Sequence, residues 1–238
     1  MNDRTALVTG ANKGIGKHIA RLLTSEGFTV YVGSRDPERG GRAVEEIGAG
    51  ARLLVLDVTD PDGIARAAAR VDRLDVLVNN AGIAPSLAPP AESGVAEFRR
   101  TYETNVFGVV AVTNAFLPAL CRSPRPRVVN VSSGTASLTW STSPNPQFTP
   151  GSGGAAAYRS SKAALNALTL YYAQTLAEDG FKVNALAPGL RATDLTPGAA
   201  ATGDDPAEAA RGALHLALLP DDGPTGGFFS WDGTPVPW

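Results

Sequence analysis

The chain has 238 residues, with 21 Lys and Arg against 23 Asp and Glu. That length suits one α/β domain with a sizeable core, and the near-neutral balance excludes the basic signature of a nucleic-acid or anionic-membrane binder. No apolar run reaches membrane-spanning length, and Met1-Asn2-Asp3-Arg4 enters a strand without a signal-peptide pattern, so a cytoplasmic protein is expected.

Thr5-Ala6-Leu7-Val8-Thr9 is a short β-favouring run and reads as the first strand. The turn Gly10-Ala11-Asn12-Lys13-Gly14-Ile15-Gly16 follows. A helix begins there, with Ile15, Ile19, Leu22 and Leu23 on one face, and stops before Gly27. Strand, glycine turn and helix make the layout that sets a pyrophosphate on a helix N-terminus, and glycines let it close on the backbone. The spacing is G-x-x-x-G-x-G, not the commoner G-x-G-x-x-G. Thr29-Val30-Tyr31-Val32-Gly33-Ser34 reads as the second strand, followed by Arg35-Asp36 and an amphipathic helix from about Pro37 to Ile47. Leu53-Leu54-Val55-Leu56 reads as a buried strand running into Asp57-Val58. Asp57 is a candidate cap for the helix that starts near Pro61.

Val76-Leu77-Val78 is the fourth strand and continues into Asn79-Asn80-Ala81-Gly82, small residues that leave room for a ligand. Pro85 to Gly94 is a loop. A long helix from about Glu97 to Leu120 carries Asn105 in its interior, where Asn is a poor helix former. Cys121, the single cysteine, excludes an intrachain disulfide and reads as a small buried apolar residue. Arg127-Val128-Val129-Asn130-Val131 is the fifth strand and ends in Ser132-Ser133. Ser141 to Gly154 is rich in Ser, Pro and Gly and reads as a loop, with Trp140 and Phe148 its aromatics. A helix carrying Tyr158 runs to about Glu178 and stops at Gly180. Lys182-Val183-Asn184-Ala185-Leu186 is the sixth strand, with Pro188-Gly189 and Thr193 after it. Leu190 to Asp205, rich in Gly, Ala and Thr, is expected to cover a substrate as a mobile lid. Asp205-Pro206 starts the last helix with an N-cap and an N1 proline, and a final strand lies near Phe228-Phe229-Ser230. His18 and His215 are far apart, and no Cys/His cluster suggests a metal.

Tyr158 and Lys162 are four apart on one helix and share a face. A free phenol titrates near ~10, and a nearby ammonium lowers that value, so the pair suits general acid or base work on a carbonyl or alcohol. A half-buried tyrosine beside a solvated lysine gives the same spacing. The glycine turn, Asn79-Asn80-Ala81-Gly82, Ser132-Ser133 and Tyr158-Arg159-Ser160-Ser161-Lys162 come in that order. In this combination the chain resembles the short-chain dehydrogenase/reductase family over nearly its whole length. The segment before Tyr158 and Gly223-Pro224-Thr225-Gly226-Gly227-Phe228-Phe229 resemble its carbonyl-reductase and menthone-reductase branches.

Alternating strands and helices predict an α/β fold, and the resemblance implies one doubly wound Rossmann-type domain over residues 1–238 with a seven-stranded parallel sheet. It implies NADP(H) as cofactor and a small-molecule carbonyl or alcohol as substrate, reduced by hydride transfer. Tyr158 is then the proton donor, Lys162 lowers its pKa and binds the nicotinamide ribose, Ser133 orients the carbonyl, and Asn105 holds a relay water. Ser132 is the alternative serine, a strand-end hydroxyl satisfying backbone groups. Cofactor contacts fall to Gly10, Asn12, Lys13, Gly14, Ile15, Gly16, Arg35, Asp57, Val58, Asn80, Ala81, Gly82, Tyr158, Lys162, Pro188, Gly189 and Thr193. Ser34 stands where NAD-binding relatives carry an acid, which with Arg35 and Lys13 points to a 2′-phosphate. Both cations can also be read as solvated surface charges, and Asp36 is placed to tie up Arg35. The insertion before Tyr158 implies a monomer or homodimer in place of the family's common tetramer. An enzyme acting mainly as an oxidant and a non-catalytic NADP(H) sensor are the other readings.

Overall fold

The computed structural model describes residues 4–145, 153–195 and 203–238. The strands are β1 (Thr5–Val8), β2 (Thr29–Ser34), β3 (Ala51–Val55), β4 (Val76–Asn79), β5 (Arg127–Val131), β6 (Lys182–Ala187) and β7 (Phe228–Ser230). They form one parallel sheet in the order β3-β2-β1-β4-β5-β6-β7, as the doubly wound reading requires. The order reverses between β1 and β4, and at this switch point the strand ends part and open a crevice.

The helices are α1 (Gly14–Ser25), α2 (Pro37–Ile47), α3 (Pro61–Ala68), α4 (Val95–Tyr102), α5 (Gly108–Leu120), α6 (Leu138–Thr142), α7 (Ala156–Thr175) and α8 (Pro206–Ala217). Side chains alternate across each strand, so two cores form. Ala6 and Val8 face Ile19 and Leu23 of α1, Ala43 of α2 and Ala210, Ala213 and Leu216 of α8. Leu7 and Leu77 face Ile64 of α3, Phe116 and Leu120 of α5 and Ala173 of α7. Asp36 caps α2, accepting from the N–H groups of Glu38 and Arg39, and Asp205 caps α8 through Ala207 N–H. Each such cap is worth about 1 kcal/mol.

Several expectations need correction. β3 is an edge strand paired only with β2, and Leu54 alone of its residues is buried. The long helix is not continuous: α4 begins at Val95, a π-helical turn occupies Glu103–Phe107, and α5 follows. The π turn contains Asn105, the weak helix former in the run, and such turns insert one residue into the α register. α7 ends at Thr175, short of Glu178. Cys121 is exposed, because α5 ends at Leu120 and the chain turns outward there. Asp57 does not cap α3, since its carboxylate accepts from Thr59 N–H and the Thr59 hydroxyl. The loop expected from Ser141 opens inside α6, and 146–152, with Phe148, lie outside the described residues. The lid expected over Leu190 to Asp205 also lies partly outside them, at 196–202. Trp140 packs against the Phe228 cluster, in keeping with an ordinary core role.

Candidate active site

A cleft of about 1170 Å³ lies at the C-terminal strand ends, at the switch point. Its wall brings together Gly10, Asn12, Lys13, Gly14, Ile15 and Gly16 of the first turn, Arg35 after β2, and Asp57 and Val58 after β3. Asn80, Ala81 and Gly82 after β4 and Thr193 after β6 complete it. Pro188 and Gly189 are not on this wall; the Pro188 carbonyl accepts from Arg191 Nε at 2.6 Å.

The glycine turn is shaped by what lies against it. Gly10 has φ of +62°, and a Cβ there would stand 3.0 Å from Ala81 Cα. A Cβ on Gly16 would collide with the Asn80 side-chain amide. That amide donates to the carbonyls of Thr9 (2.9 Å) and Gly10 (3.2 Å). The Thr9 hydroxyl accepts from Asn80 N–H and Ala81 N–H, both at 3.0 Å. Thr9 therefore fixes the turn against the β4 loop. The sequence reading assigned Thr9 only to a strand, since its hydroxyl role depends on the β1–β4 pairing. No side chain caps α1, so its first N–H groups face the cleft without a protein acceptor, as an anion site requires.

The cations around β2 divide unequally. Ser34 is buried and its hydroxyl donates to the Asp36 carbonyl at 2.8 Å. Asp36 is taken up by the α2 cap and by an ion pair with Arg39 at 3.2 Å. Arg35 is exposed on the cleft wall, and among the described residues it has no ion-pair or hydrogen-bond partner. Arg39, also on the wall, escaped the sequence reading; its position one turn into α2 was the available signal. Lys13 is not free: its Nζ pairs with Asp194 at 2.8 Å, joining the glycine turn to the loop after β6.

The four proposed catalytic residues meet on the far side of Gly82. A Cβ on Gly82 would stand 3.3 Å from Asn105 Oδ1 and 3.4 Å from Lys162 Nζ. Asn105 is fully buried; Oδ1 accepts from Ile83 N–H, and Nδ2 donates to the Ile83 carbonyl and to Ser161 Oγ. Its amide thus ties the π turn to the β4 loop and to α7. Lys162 Nζ donates to the Val131 carbonyl at 2.7 Å, and burial holds its pKa down to about 8. The Ser133 hydroxyl is near enough to act on the Tyr158 phenol. Burial pushes that phenol above the ordinary value, while the Ser133 hydroxyl works the other way. The expectation that Lys162 lowers the Tyr158 pKa is therefore not met here: the ammonium is engaged by the sheet, and desolvation dominates. Ser132 is buried and donates to Asn166 Oδ1 at 2.5 Å, which fits the structural reading of that serine. α7 enters through Ala155 at φ of +55°, pinned by its N–H to the Leu87 carbonyl at 2.9 Å.

Arg191 also escaped the sequence reading, which passed over it as part of a small-residue stretch. Its side chain is 1% exposed and bonds Pro188 O, Glu208 Oε2 and Asp205 O. The guanidinium lies over the Trp231 ring, 4.6 Å from its centre. Trp231 is therefore a prop for the loop after β6.

The family model "short chain dehydrogenase" matches residues 4–203. Salutaridine reductase of Papaver bracteatum is 33% identical, with 95% of this chain and 94% of that protein covered. Cyclopentanol dehydrogenase of Comamonas sp. is 37% identical over 81% of this chain and 75% of its own. The solved structure of an NADPH-bound carbonyl reductase from chicken fatty liver superposes with a TM-score of 0.83 at 28% identity, covering both chains in full. Sheet order, glycine turn and relatives lead to one conclusion: the chain belongs to the short-chain dehydrogenase/reductase family and is an oxidoreductase acting on carbonyl and alcohol groups.

Proposed function

We propose that this protein is an NADPH-dependent carbonyl reductase, with residues 1–238 as one catalytic unit. The reading rests on one juxtaposition: Tyr158 beside Lys162, with Lys162 Nζ next to Gly82 on the cofactor cleft. The residues present fit NADP(H): a glycine cradle, an uncapped α1 and an Arg35 without a partner among the described residues. The NADPH-bound chicken carbonyl reductase supports the same cofactor.

When bound, the nicotinamide supplies the hydride. The protein supplies position and protons. Tyr158 donates its phenolic proton to the carbonyl oxygen. Ser133 orients that oxygen and stabilises the charge developing on it. Lys162 has three donors and spends one on Val131, which leaves two for ribose hydroxyls. Asn105, its amide committed to Ile83 and Ser161, would hold the relay water through the widened backbone of the π turn. Pro188, Gly189 and Thr193 would meet the nicotinamide. Asp57 and Val58 would face the adenine.

The test is NADPH consumption with a panel of ketones and reactive diketones. Turnover is expected with at least one. Tight NADPH binding without turnover on any would support the sensor reading. The match to a named cyclopentanol dehydrogenase favours also assaying alcohols with NADP⁺, since direction in the cell follows cofactor ratios. No helix among the described residues is long and apolar enough to cross a membrane, and we place the enzyme in the cytoplasm. Phe107 beside α5 and Tyr171 on α7 are exposed, so a tetramer built on both helices would cover them; a monomer or homodimer by light scattering is the expected result.

A further inference from the structure

The hydroxyl of Thr135 lies 2.8 Å from Ser133 Oγ, and Thr135 N–H donates to the same oxygen at 3.2 Å. Ser133 thus caps the short 3₁₀ turn Gly134–Ala136 that carries Thr135. A serine hydroxyl has one proton and two acceptor positions. The Thr135 N–H fills one position. The Thr135 hydroxyl can fill the second or receive the proton.

The neighbours decide the direction. Among the described residues, Ser133 is the one partner of the Thr135 hydroxyl, so that proton has a protein acceptor only when Thr135 donates to Ser133. Ser133 also acts on Tyr158, in the direction that favours its phenolate. The order Thr135 to Ser133 to Tyr158 uses both hydroxyl protons. It also leaves the Tyr158 proton unspent for a carbonyl oxygen. The reverse order would spend the Tyr158 proton on Ser133. Thr135 is held in place: its carbonyl accepts from Arg159 Nε at 3.4 Å, and Arg159 also donates to Ser141 Oγ.

We infer that Thr135 is a positioning residue for the reaction: its hydroxyl donates to Ser133 and commits the single Ser133 proton to Tyr158 and the substrate oxygen. This rests on the proposed roles of Ser133 and Tyr158. Donation onto Ser133 also polarises its O–H, as in any hydrogen-bonded chain.

The experiment measures NADPH-dependent reduction of a reactive diketone, and oxidation of the product alcohol, across pH. The variants are Thr135→Val, Thr135→Ala, Thr135→Ser, Ser133→Ala and Ser133→Ala combined with Thr135→Val. Lys162 and Arg159, the charged groups nearest the chain of hydroxyls, are unchanged in all of them. Thr135→Val should lower kcat about 3- to 10-fold, the worth of one hydrogen bond, with cofactor KM unchanged. Its alkaline limb in reduction should move to higher pH, because Tyr158 loses an ordered donor that favours the phenolate. Thr135→Ser should restore both. In the Ser133→Ala background, Thr135→Val should add nothing. Thr135→Ala repeats the test without a branched side chain should Thr135→Val fold poorly. A slow Ser133→Ala enzyme beside Thr135→Val and Thr135→Ala enzymes with wild-type kcat and pH limb overturns this inference alone. A penalty from Thr135→Val that persists without Ser133 does the same. A Ser133→Ala enzyme at wild-type rate overturns the site assignment and this inference with it.

Discussion

Lys162 Nζ lies 5.9 Å from the centre of the Tyr158 ring, one helical turn away, yet its hydrogen bond goes to the Val131 carbonyl. The cation is thus anchored to the sheet and not to the phenol. Tyr158→Phe should therefore keep the fold and bind NADPH normally, since the anchor of Lys162 does not involve the phenol oxygen. Turnover should fall by roughly 10²–10⁴-fold, the contribution of a positioned acid. Initial rates with equilibrium cofactor titration check this, and near-normal kcat would remove Tyr158 from the mechanism. Because burial raises the phenol, the Tyr158 limb of the pH profile should lie above the ordinary phenol range near ~10, and the loss of the Lys162 charge should show as a separate limb at about 8.

Lys162 is held in the fold at a cost. Its pKa is about 8 in the protein against 10.5 in the unfolded chain, so below 8 both states are charged and the folded state bears the full desolvation penalty. Between about 8 and 10.5 the unfolded chain binds the extra proton, and stability rises with pH through that window. Lys162→Met should be more stable at pH 7 by on the order of 2–3 kcal/mol, and should lack that rise. Its activity should be lost. Chemical denaturation of both proteins at pH 7 and pH 10 checks the sign; equal stability at pH 7 would refute it.

Cofactor choice should follow Arg35. Wild type is expected to favour NADPH over NADH in kcat/KM by about 100-fold, from charge-assisted bonds worth roughly 1.5–3 kcal/mol each. Arg35→Ala combined with Ser34→Asp should lose most of this preference. Ser34 is buried with α2 at Gly40 packed on it, so the aspartate also strains the fold. Arg35→Ala alone is the cleaner variant, and an unchanged NADPH preference in it would count against the assignment.

Arg191→Met should lower stability by about 2–3 kcal/mol. That is below the 3–5 kcal/mol for a fully buried broken pair, because Glu208 is partly exposed and can rehydrate. Trp231 fluorescence should shift as the guanidinium leaves its ring. Thermal melts followed at that emission check both; an unchanged melt and spectrum would show that the clamp has no energetic weight.

Strand and helix identities were legible because their periodicity is local: Thr29–Ser34 and Pro37–Ile47 fall where the pattern places them. The glycine turn and the placement of Ser133, Tyr158 and Lys162 were legible because their order in the chain is itself the family pattern. What was hidden depends on partners distant in sequence. Leu53–Leu56 looks like a buried strand, and only the sheet order makes it an edge. Thr9, Thr135 and Arg191 act through hydrogen bonds whose partners the chain brings in from elsewhere or through a turn geometry. Asn105 signalled a weak helix position, but a π turn and a plain solvated asparagine give the same residue. Lys13 drew a phosphate by analogy, and nothing near it in sequence announces Asp194.

The Lys13–Asp194 pair bears on how binding responds to ionic strength. A phosphate that recruits Lys13 must first displace Asp194, so one ion pair is exchanged for another and few small ions are set free. Arg35 has no such partner among the described residues, and its contact would release counterions in full. Lys13 and Arg35 therefore differ in salt response: raising the salt should weaken the Arg35 contribution and leave the Lys13 exchange almost level.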